Sequence, residues 1–144
     1  MVVYKYNYGK DNNMYKKSRH SCYDLKYHLV LVTKYRHPVI KNDLAIKLKE
    51  YTMYYFNNNK LDIIEFNDDL DHIHILFEGK PNLNLSNFVN GLKTLTSKNI
   101  RKDFSEELKP YYREPYFWSR SYFVSTVSEQ SQAVVEQYIK NQKG

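Results

Sequence analysis

The stretch from Leu61 to Gly79, LDIIEFNDDLDHIHILFEG, holds two β-rich runs, LDIIEFND and HIHILFEG, on either side of a polar segment around Asp68 to Asp71. Branched and aromatic residues suit a pleated, half-buried surface, and the acidic cluster between the runs carries turn chemistry, so the stretch predicts a β-hairpin. Side chains alternate faces along a strand. His72 and His74 therefore project to one side of the second run, while Ile73 and Ile75, with help from Leu76, supply the packed side.

Working outward, the upstream run CYDLKYHLVLVTKYR, Cys22 to Arg36, is rich in Val, Leu and Tyr and predicts a long first strand that ends at the turn signal of Pro38. Asn42 or Asp43 can cap a helix, and Leu44, Leu48, Tyr51 and Tyr55 recur at helical spacing until Asn57, Asn58 and Asn59 stop it. Downstream of Pro81, Leu85, Phe88, Val89, Leu92 and Leu95 form an i, i+3, i+4, i+7 stripe, with Lys93, Lys98 and Arg101 off it. Residues 105 to 116 are charged, contain Pro110 and Pro115, and predict a loop. YFWSRSYFVSTV, residues 116 to 127, predicts a fourth strand, and Ser128 to Gln142 predicts a last helix capped near Ser128, with Val134, Val135, Tyr138 and Ile139 in its pattern. The order β-α-β-β-α-β-α matches an α+β, ferredoxin-like (RRM-like) sandwich: an antiparallel four-stranded sheet with helices on one face, plus a C-terminal helix bearing Tyr138.

At 144 residues the chain fits one domain with a continuous core. Residues 1 to 20 are polar and lack sustained periodicity, and they read as an arm, mobile until it meets a partner; residues 21 to 144 form the single folded domain. The only cysteine, Cys22, excludes an intramolecular disulfide and a cysteine-cluster zinc site, and it reads as inert packing in a reducing cytoplasm. With no signal peptide and no apolar run of the roughly 20 residues a spanning helix needs, the expectation is a soluble, cytoplasmic protein with no membrane partner. Net charge is +6, and basic residues crowd three segments: Lys10, Lys16, Lys17 and Arg19; Lys34 and Arg36; Lys93, Lys98, Arg101 and Lys102. That balance favours a polyanion, and fifteen tyrosines and seven phenylalanines offer faces for unpaired bases.

Two neutral imidazoles on one strand face can hold a divalent cation, with Asp71 as a further ligand or as the partner that orients one of them. The same H-x-H pattern fits two surface histidines on a half-buried strand. The terminal QYIKNQ places Tyr138 and Gln142 at i and i+4, on one helical face. Tyr54 with Asn58 and Tyr55 with Asn59 share that spacing, and Tyr138 also fits a packed aromatic beside Val134 and Val135, so spacing leaves the choice open. His20, His28 and His37 read as structural or surface residues.

Taken together, KYHLVLVTKYRHPV, DHIHIL, the SNFVNGLKTLTSKNIR helix, FWSRSYFVSTV and the terminal VVEQYIKNQ resemble, in that order, the HUH single-tyrosine transposases of small bacterial and archaeal insertion sequences, the insertion-sequence-200 type. The resemblance runs from about residue 21 to residue 142 and leaves the arm outside. It implies that residues 21 to 144 are one catalytic transposase domain, with His72, His74 and Gln142 as ligands of Mg²⁺ or Mn²⁺ and Tyr138 as nucleophile. It further implies metal-assisted transesterification of single-stranded DNA at the element's ends, through a 5′-phosphotyrosine and a free 3′ hydroxyl. Its expected partners are the DNA hairpins at those ends and a second copy of the chain, the tyrosine helix of one subunit completing the site of the other. Lys93, Lys98, Arg101 and Lys102 are the candidates for phosphate contacts. Ser121 departs from the glycine that such proteins often carry before the Tyr-Phe pair. A non-catalytic module binding single-stranded nucleic acid on the same fold is the alternative, and a water-using two-histidine phosphoesterase, which would want a second H-x-[ST], is a further rival.

Overall fold

The computed structural model describes residues 16–17, 22–23, 25–127 and 131–142, with side chains for 25–127 and 134–142. The rest of the arm of residues 1 to 20, the helix cap expected near Ser128, and the side chain of Cys22 lie outside the described residues. A short antiparallel ladder joins β1 (Lys16–Lys17) to β2 (Cys22–Tyr23). The main sheet comprises β3 (Lys26–Val32), β4 (Ile63–Asp68), β5 (His72–Glu78) and β6 (Phe123–Thr126), in the order β4-β5-β3-β6 with every neighbouring pair antiparallel. Helix α1 (Asn42–Asn58) connects β3 to β4, and α2 (Leu85–Asp103) with the short α3 (Ser105–Leu108) connects β5 to β6. Each connection skips one strand of the sheet, which is the split β-α-β arrangement of the ferredoxin-like sandwich. Helix α4 (Ser131–Asn141) follows the sheet.

One face of the sheet makes the main core. Leu29 and Leu31 of β3 and Ile73, Ile75 and Phe77 of β5 meet Leu44, Leu48 and Phe56 of α1 and Phe88, Val89, Leu92 and Ile100 of α2. The rings of Phe56, Phe77 and Phe88 lock together at centroid separations of 5.0 to 5.8 Å, two of the three pairs edge to face. Each fully buried side chain of this size contributes about 1.5–3 kcal/mol. Tyr55 joins the two helices: its hydroxyl donates to the Phe88 carbonyl at 2.7 Å, and a Cβ at Gly91 would run into the Tyr55 hydroxyl, so glycine there makes room for the ring. No helix among the described residues is long and apolar enough to cross a membrane.

The elements follow the hydrophobic pattern, and their ends follow tertiary contacts. The expected strand from Cys22 to Arg36 is broken after Tyr23 and stops at Val32, because Tyr35 and Arg36 take positive φ (60° and 54°) in a tight turn over Lys34–Arg36. Helix α1 has no side-chain cap; Lys41 occupies the cap position, and Asn42 enters the helix at φ 54°, a conformation Asn tolerates. Its buried stripe is Leu44, Leu48, Thr52 and Phe56, with Tyr51 and Tyr55 flanking it. Residues 105 to 116, expected as a loop, contain α3.

The fourth strand is shorter than the pattern predicts. Trp118 pairs with Thr33 and Phe123 with Val30, so four residues on one side face two on the other, and residues 119 to 122 bulge from the ladder. Trp118 turns its indole N–H to Thr96 Oγ1 at 2.9 Å, which holds the segment against α2.

Candidate active site

Directly opposed residues of neighbouring strands share a face. The registers His72↔Val32, His74↔Val30 and Leu76↔His28 therefore gather these side chains on the face away from α1 and α2. Leu76, expected on the packed side with Ile73 and Ile75, belongs to the histidine face, where it is nonetheless fully buried.

His72 and His74 are both buried, at 3% and 2% exposure, in keeping with positions inside a covered strand rather than on a wet surface. Asp71 Oδ1 lies 2.8 Å from His72 Nδ1, and Arg36 Nε donates to Asp71 Oδ2 at 2.8 Å. The tight turn that ends β3 brings Arg36 to this position. Burial pushes the Asp71 carboxyl up, but hydrogen bonds from His72 and Arg36, and the charge of Arg36, outweigh it and hold the group below its ordinary value. An ionised Asp71 keeps the proton of His72 on Nδ1 and the lone pair on Nε2, as carboxylates do behind metal-ligating histidines. The Asp71 carbonyl accepts from Thr33 N at 2.9 Å and from Thr33 Oγ1 at 3.1 Å, so the orienting residue is itself fixed.

Burial, with the nearby charges of His28 and His72, lowers the pKa of His74 to about 3. It is a neutral imidazole, the form that ligates metals. His28, taken from the sequence as structural or surface, is buried with its ring 5.8 Å from that of His74, and burial lowers its pKa to about 4. The alternation of KYHLVLV carried the signal, since it puts His28 on the face of Val30 and Val32. Two buried imidazoles on one face, His74 neutral and His72 oriented by a carboxylate, fit a divalent cation. Among the described residues no third histidine, cysteine, aspartate or glutamate completes a ligand cluster.

Helix α4 covers part of this face. Val135 and Ile139 pack on Val30 and Val32 of β3, and Tyr138 lays its ring 5.2 Å from that of Phe123 on β6. Val134, expected in the apolar set, points to solvent. The Tyr138 hydroxyl lies 3.1 Å from Ser121 Oγ, and Ser121 Oγ donates to Gln142 Oε1 at 3.2 Å. Burial raises the Tyr138 pKa above its ordinary value, with the Ser121 hydrogen bond opposing. Tyr138 and Gln142 thus come together through Ser121, on the same sheet face as the histidines but on the β6 side of β3. Strands are spaced about 4.8 Å apart, so roughly 10 Å separates the axes of β6 and the histidine strand.

The competing tyrosine–amide pairs are set apart from the histidines. Tyr54, Tyr55, Asn58 and Asn59 belong to α1 and its end, on the opposite face, and the Tyr55 hydroxyl is engaged at Phe88. His37 sits among the rings of Tyr35, Tyr111 and Tyr112, and His20 lies outside the described residues.

The four basic candidates of α2 divide into two kinds. Lys93 Nζ donates to the Arg120 carbonyl at 2.8 Å and lies 5.7 Å from the Tyr122 ring, with burial lowering its pKa. Arg101 donates to the Pro115 carbonyl. Both hold the 115–120 segment in place. Lys98 and Lys102 are exposed and, with Arg101, Lys109 and Arg113, line a cleft of about 610 Å³ that also carries Tyr112, Tyr116 and two glutamates. This cleft is on the α2 side of the sheet, away from the histidines.

Comparison with known proteins gives a consistent result. Residues 21–142 match the family described as "Transposase IS200 like". The chain is 32% identical over 127 residues to the ISDra2 transposase TnpA of Deinococcus radiodurans, covering 88% of this chain and 90% of that protein. It is also 32% identical over 127 residues to the transposase for insertion sequence element IS200 of Salmonella typhimurium, covering 88% of this chain and 82% of that protein. A crystal structure described as a transposase of Deinococcus radiodurans R1 superposes with a TM-score of 0.82 at 33% identity, covering 90% of this chain and 98% of that one. A REP-associated tyrosine transposase bound to a REP hairpin shares the fold at 8% identity, with a TM-score of 0.53 over 100% of this chain and 76% of that one.

Proposed function

The chain belongs to the family of IS200-like transposases, DNA-cleaving and strand-transferring enzymes of transposition, and from that premise we propose that it cuts and rejoins single-stranded DNA with Tyr138 as its nucleophile. The observation that carries this reading is the pairing of Tyr138 with Gln142, one helical turn apart and joined through Ser121, on the sheet face that also holds His72 and His74.

Tyr138 attacks the scissile phosphorus through its hydroxyl oxygen, and the phenolic proton leaves to solvent or to a base. The bond from phosphorus to the 3′ oxygen breaks, so the 5′ end stays on Tyr138 as a phosphotyrosine and the other strand departs with a 3′ hydroxyl. Because one phosphoester replaces another, a second 3′ hydroxyl can reverse the step and join new strands without ATP. His72, His74 and Gln142 would hold Mg²⁺ or Mn²⁺, which when bound supplies neutralisation of the charge that makes a phosphodiester a poor electrophile. Asp71 and Arg36 orient His72 for that duty.

Exposed Lys98 and Lys102, with the aromatic rings of the adjoining cleft, suit a folded DNA end such as a hairpin, the ligand carried by the REP-associated relative. Lys93 and Arg101 contribute by fixing the 115–120 segment as well as by charge. The position of Tyr138 on the β6 side supports a two-subunit enzyme, in which the tyrosine helix of one copy serves the histidines of the other; a two-fold dimer is the ordinary arrangement.

The test is incubation with labelled single-stranded DNA carrying the element's own end, in Mg²⁺ or Mn²⁺, followed by a denaturing gel. Wild type forms a covalent protein–DNA adduct, and Tyr138→Phe forms none. An adduct that persists in Tyr138→Phe would remove Tyr138 from the chemistry, and DNA binding without any adduct would favour the non-catalytic module.

A further inference from the structure

Strand β4 carries a bulge that decides what stands beside the histidines. Ile63 pairs with Phe77, but Glu65 pairs with Leu76, so Ile64 is an extra residue in the ladder. Beyond it, Phe66 pairs with Ile75, Asn67 with His74 and Asp68 with Ile73. Side chains alternate, so without the bulge Glu65 and Asn67 would follow Ile63 into the core under α1 and α2. With it, Ile63 and Phe66 both pack on that core, and Glu65 and Asn67 turn to the histidine face.

Asn67 stands directly opposite His74, which puts their Cβ atoms about 5 Å apart. Gln142 reaches the same face from the β6 side, two strand spacings, or roughly 10 Å, from β5. Asn67 Nδ2 and Glu65 Oε2 are buried, and neither makes a hydrogen bond among the described residues. Buried polar atoms without a partner are rare, and one turn of the Asn67 amide accounts for both. It brings Nδ2 to Glu65 Oε2 and leaves Oδ1 for a cation at His72 and His74. The two side chains are already neighbours: burial raises the Glu65 pKa, and the Asn67 amide opposes the rise. A carboxamide oxygen is a ligand that hard divalent cations accept, and six-coordinate Mg²⁺ has positions to spare beyond two imidazoles and Gln142.

We propose that Asn67 is a further ligand of the cation, its Oδ1 joining His72 and His74 from β4, on the side away from Tyr138. This rests on the reading of His72 and His74 as a metal site. All three residues belong to one sheet, so a single chain supplies them whichever subunit supplies Gln142.

The experiment titrates Mn²⁺ into the full chain without DNA, followed by electron paramagnetic resonance, and compares wild type with Asn67→Ala, Asn67→Asp and His72→Ala. The loss of a residue that merely orients a ligand costs about 10-fold or more in affinity, so Asn67→Ala should bind at least that much more weakly. Asn67→Asp keeps the shape and offers a carboxylate oxygen, so it should bind as tightly as wild type or more tightly. The same substitution sets two carboxyl groups side by side, and without metal it should lower the urea midpoint. A purely structural role predicts instead that midpoint and affinity fall together. Wild-type affinity in Asn67→Ala, with His72→Ala weakened, overturns the proposal and leaves the metal site standing. Weaker binding in Asn67→Asp than in wild type overturns it too, and this variant decides the matter if Asn67→Ala fails to fold. Unchanged affinity in His72→Ala removes the metal reading itself, and the proposal with it.

Discussion

The two faces of the sheet are built from the same strands and do different work. Among the described residues, the face under α1 and α2 belongs to a cluster of nineteen buried residues, while the face under α4 has a cluster of four. Alternation along β3 and β5 sends Leu29, Leu31, Ile73, Ile75 and Phe77 one way and His28, Val30, Val32, His72 and His74 the other. The first set gains its free energy by leaving water. The second set keeps three imidazoles dry at the expense of part of that gain, and among the described side chains the helix above it meets the sheet through Val135, Tyr138 and Ile139. A thick core on one side lets the chain tolerate a thin, polar one on the other.

Substitutions can break or sharpen this contrast. Phe77→Ala on the thick face should destabilise the whole domain by about 3–5 kcal/mol, seen as a lower urea midpoint for every probe at once; a loss confined to one element would mean that the face is not a single cooperative core. On the thin face, Asp71→Asn should leave the fold in place and weaken Mn²⁺ binding by about 10–100-fold, because it removes the carboxylate that sets the tautomer of His72. Unaltered affinity would take the Arg36–Asp71–His72 chain out of the site. Val135→Ala should cost about 1–2 kcal/mol, two methylenes' worth of burial, and should appear as faster exchange in α4 with little change in global unfolding. A global loss as large as that of Phe77→Ala would erase the distinction between the faces.

The smallest effect is a pH dependence. Burial lowers the pKa of His28 to about 4 and that of His74 to about 3, against about 6.5 unfolded. Below pH 6.5 the unfolded chain therefore binds more protons than the folded one, so stability is full above that pH and declines as it falls toward 4 and 3. Between pH 7 and pH 6, His28→Gln should remove under about 1 kcal/mol of that decline, measured as the difference in urea midpoint. An unchanged slope would mean that His28 is as well solvated in the fold as in the unfolded chain.

Much of this was legible before any coordinates. The hairpin around Asp68 to Asp71, the stripes of α1 and α2 and the shared face of His72 and His74 follow from periods of two and 3.6, which are local properties. The ends of elements were not legible. Strand β3 stops at Val32 because Tyr35 and Arg36 turn with positive φ, and α1 starts at Asn42 without a side-chain cap. His28 was passed over because a lone histidine in a strand has no meaning until its neighbour across the ladder is known. Ser121 stood out only as a departure from glycine, and its role as the link between Tyr138 and Gln142 needed the bulge at 119 to 122.

By itself, then, the sequence determined the α+β class, the order of elements, the family and the candidate groups, because hydrophobic period and motif order are written along the chain. It offered three tyrosine–amide pairs at the same spacing and could not rank them without the resemblance. Tertiary structure separated them, sending Tyr54 and Tyr55 to the far side of the sheet and Tyr138 to the near side. It also carried Arg36 to Asp71 and Ser121 to Gln142. Those contacts join residues far apart in sequence, and only the packing of helices on a twisted sheet specifies which distant side chains meet.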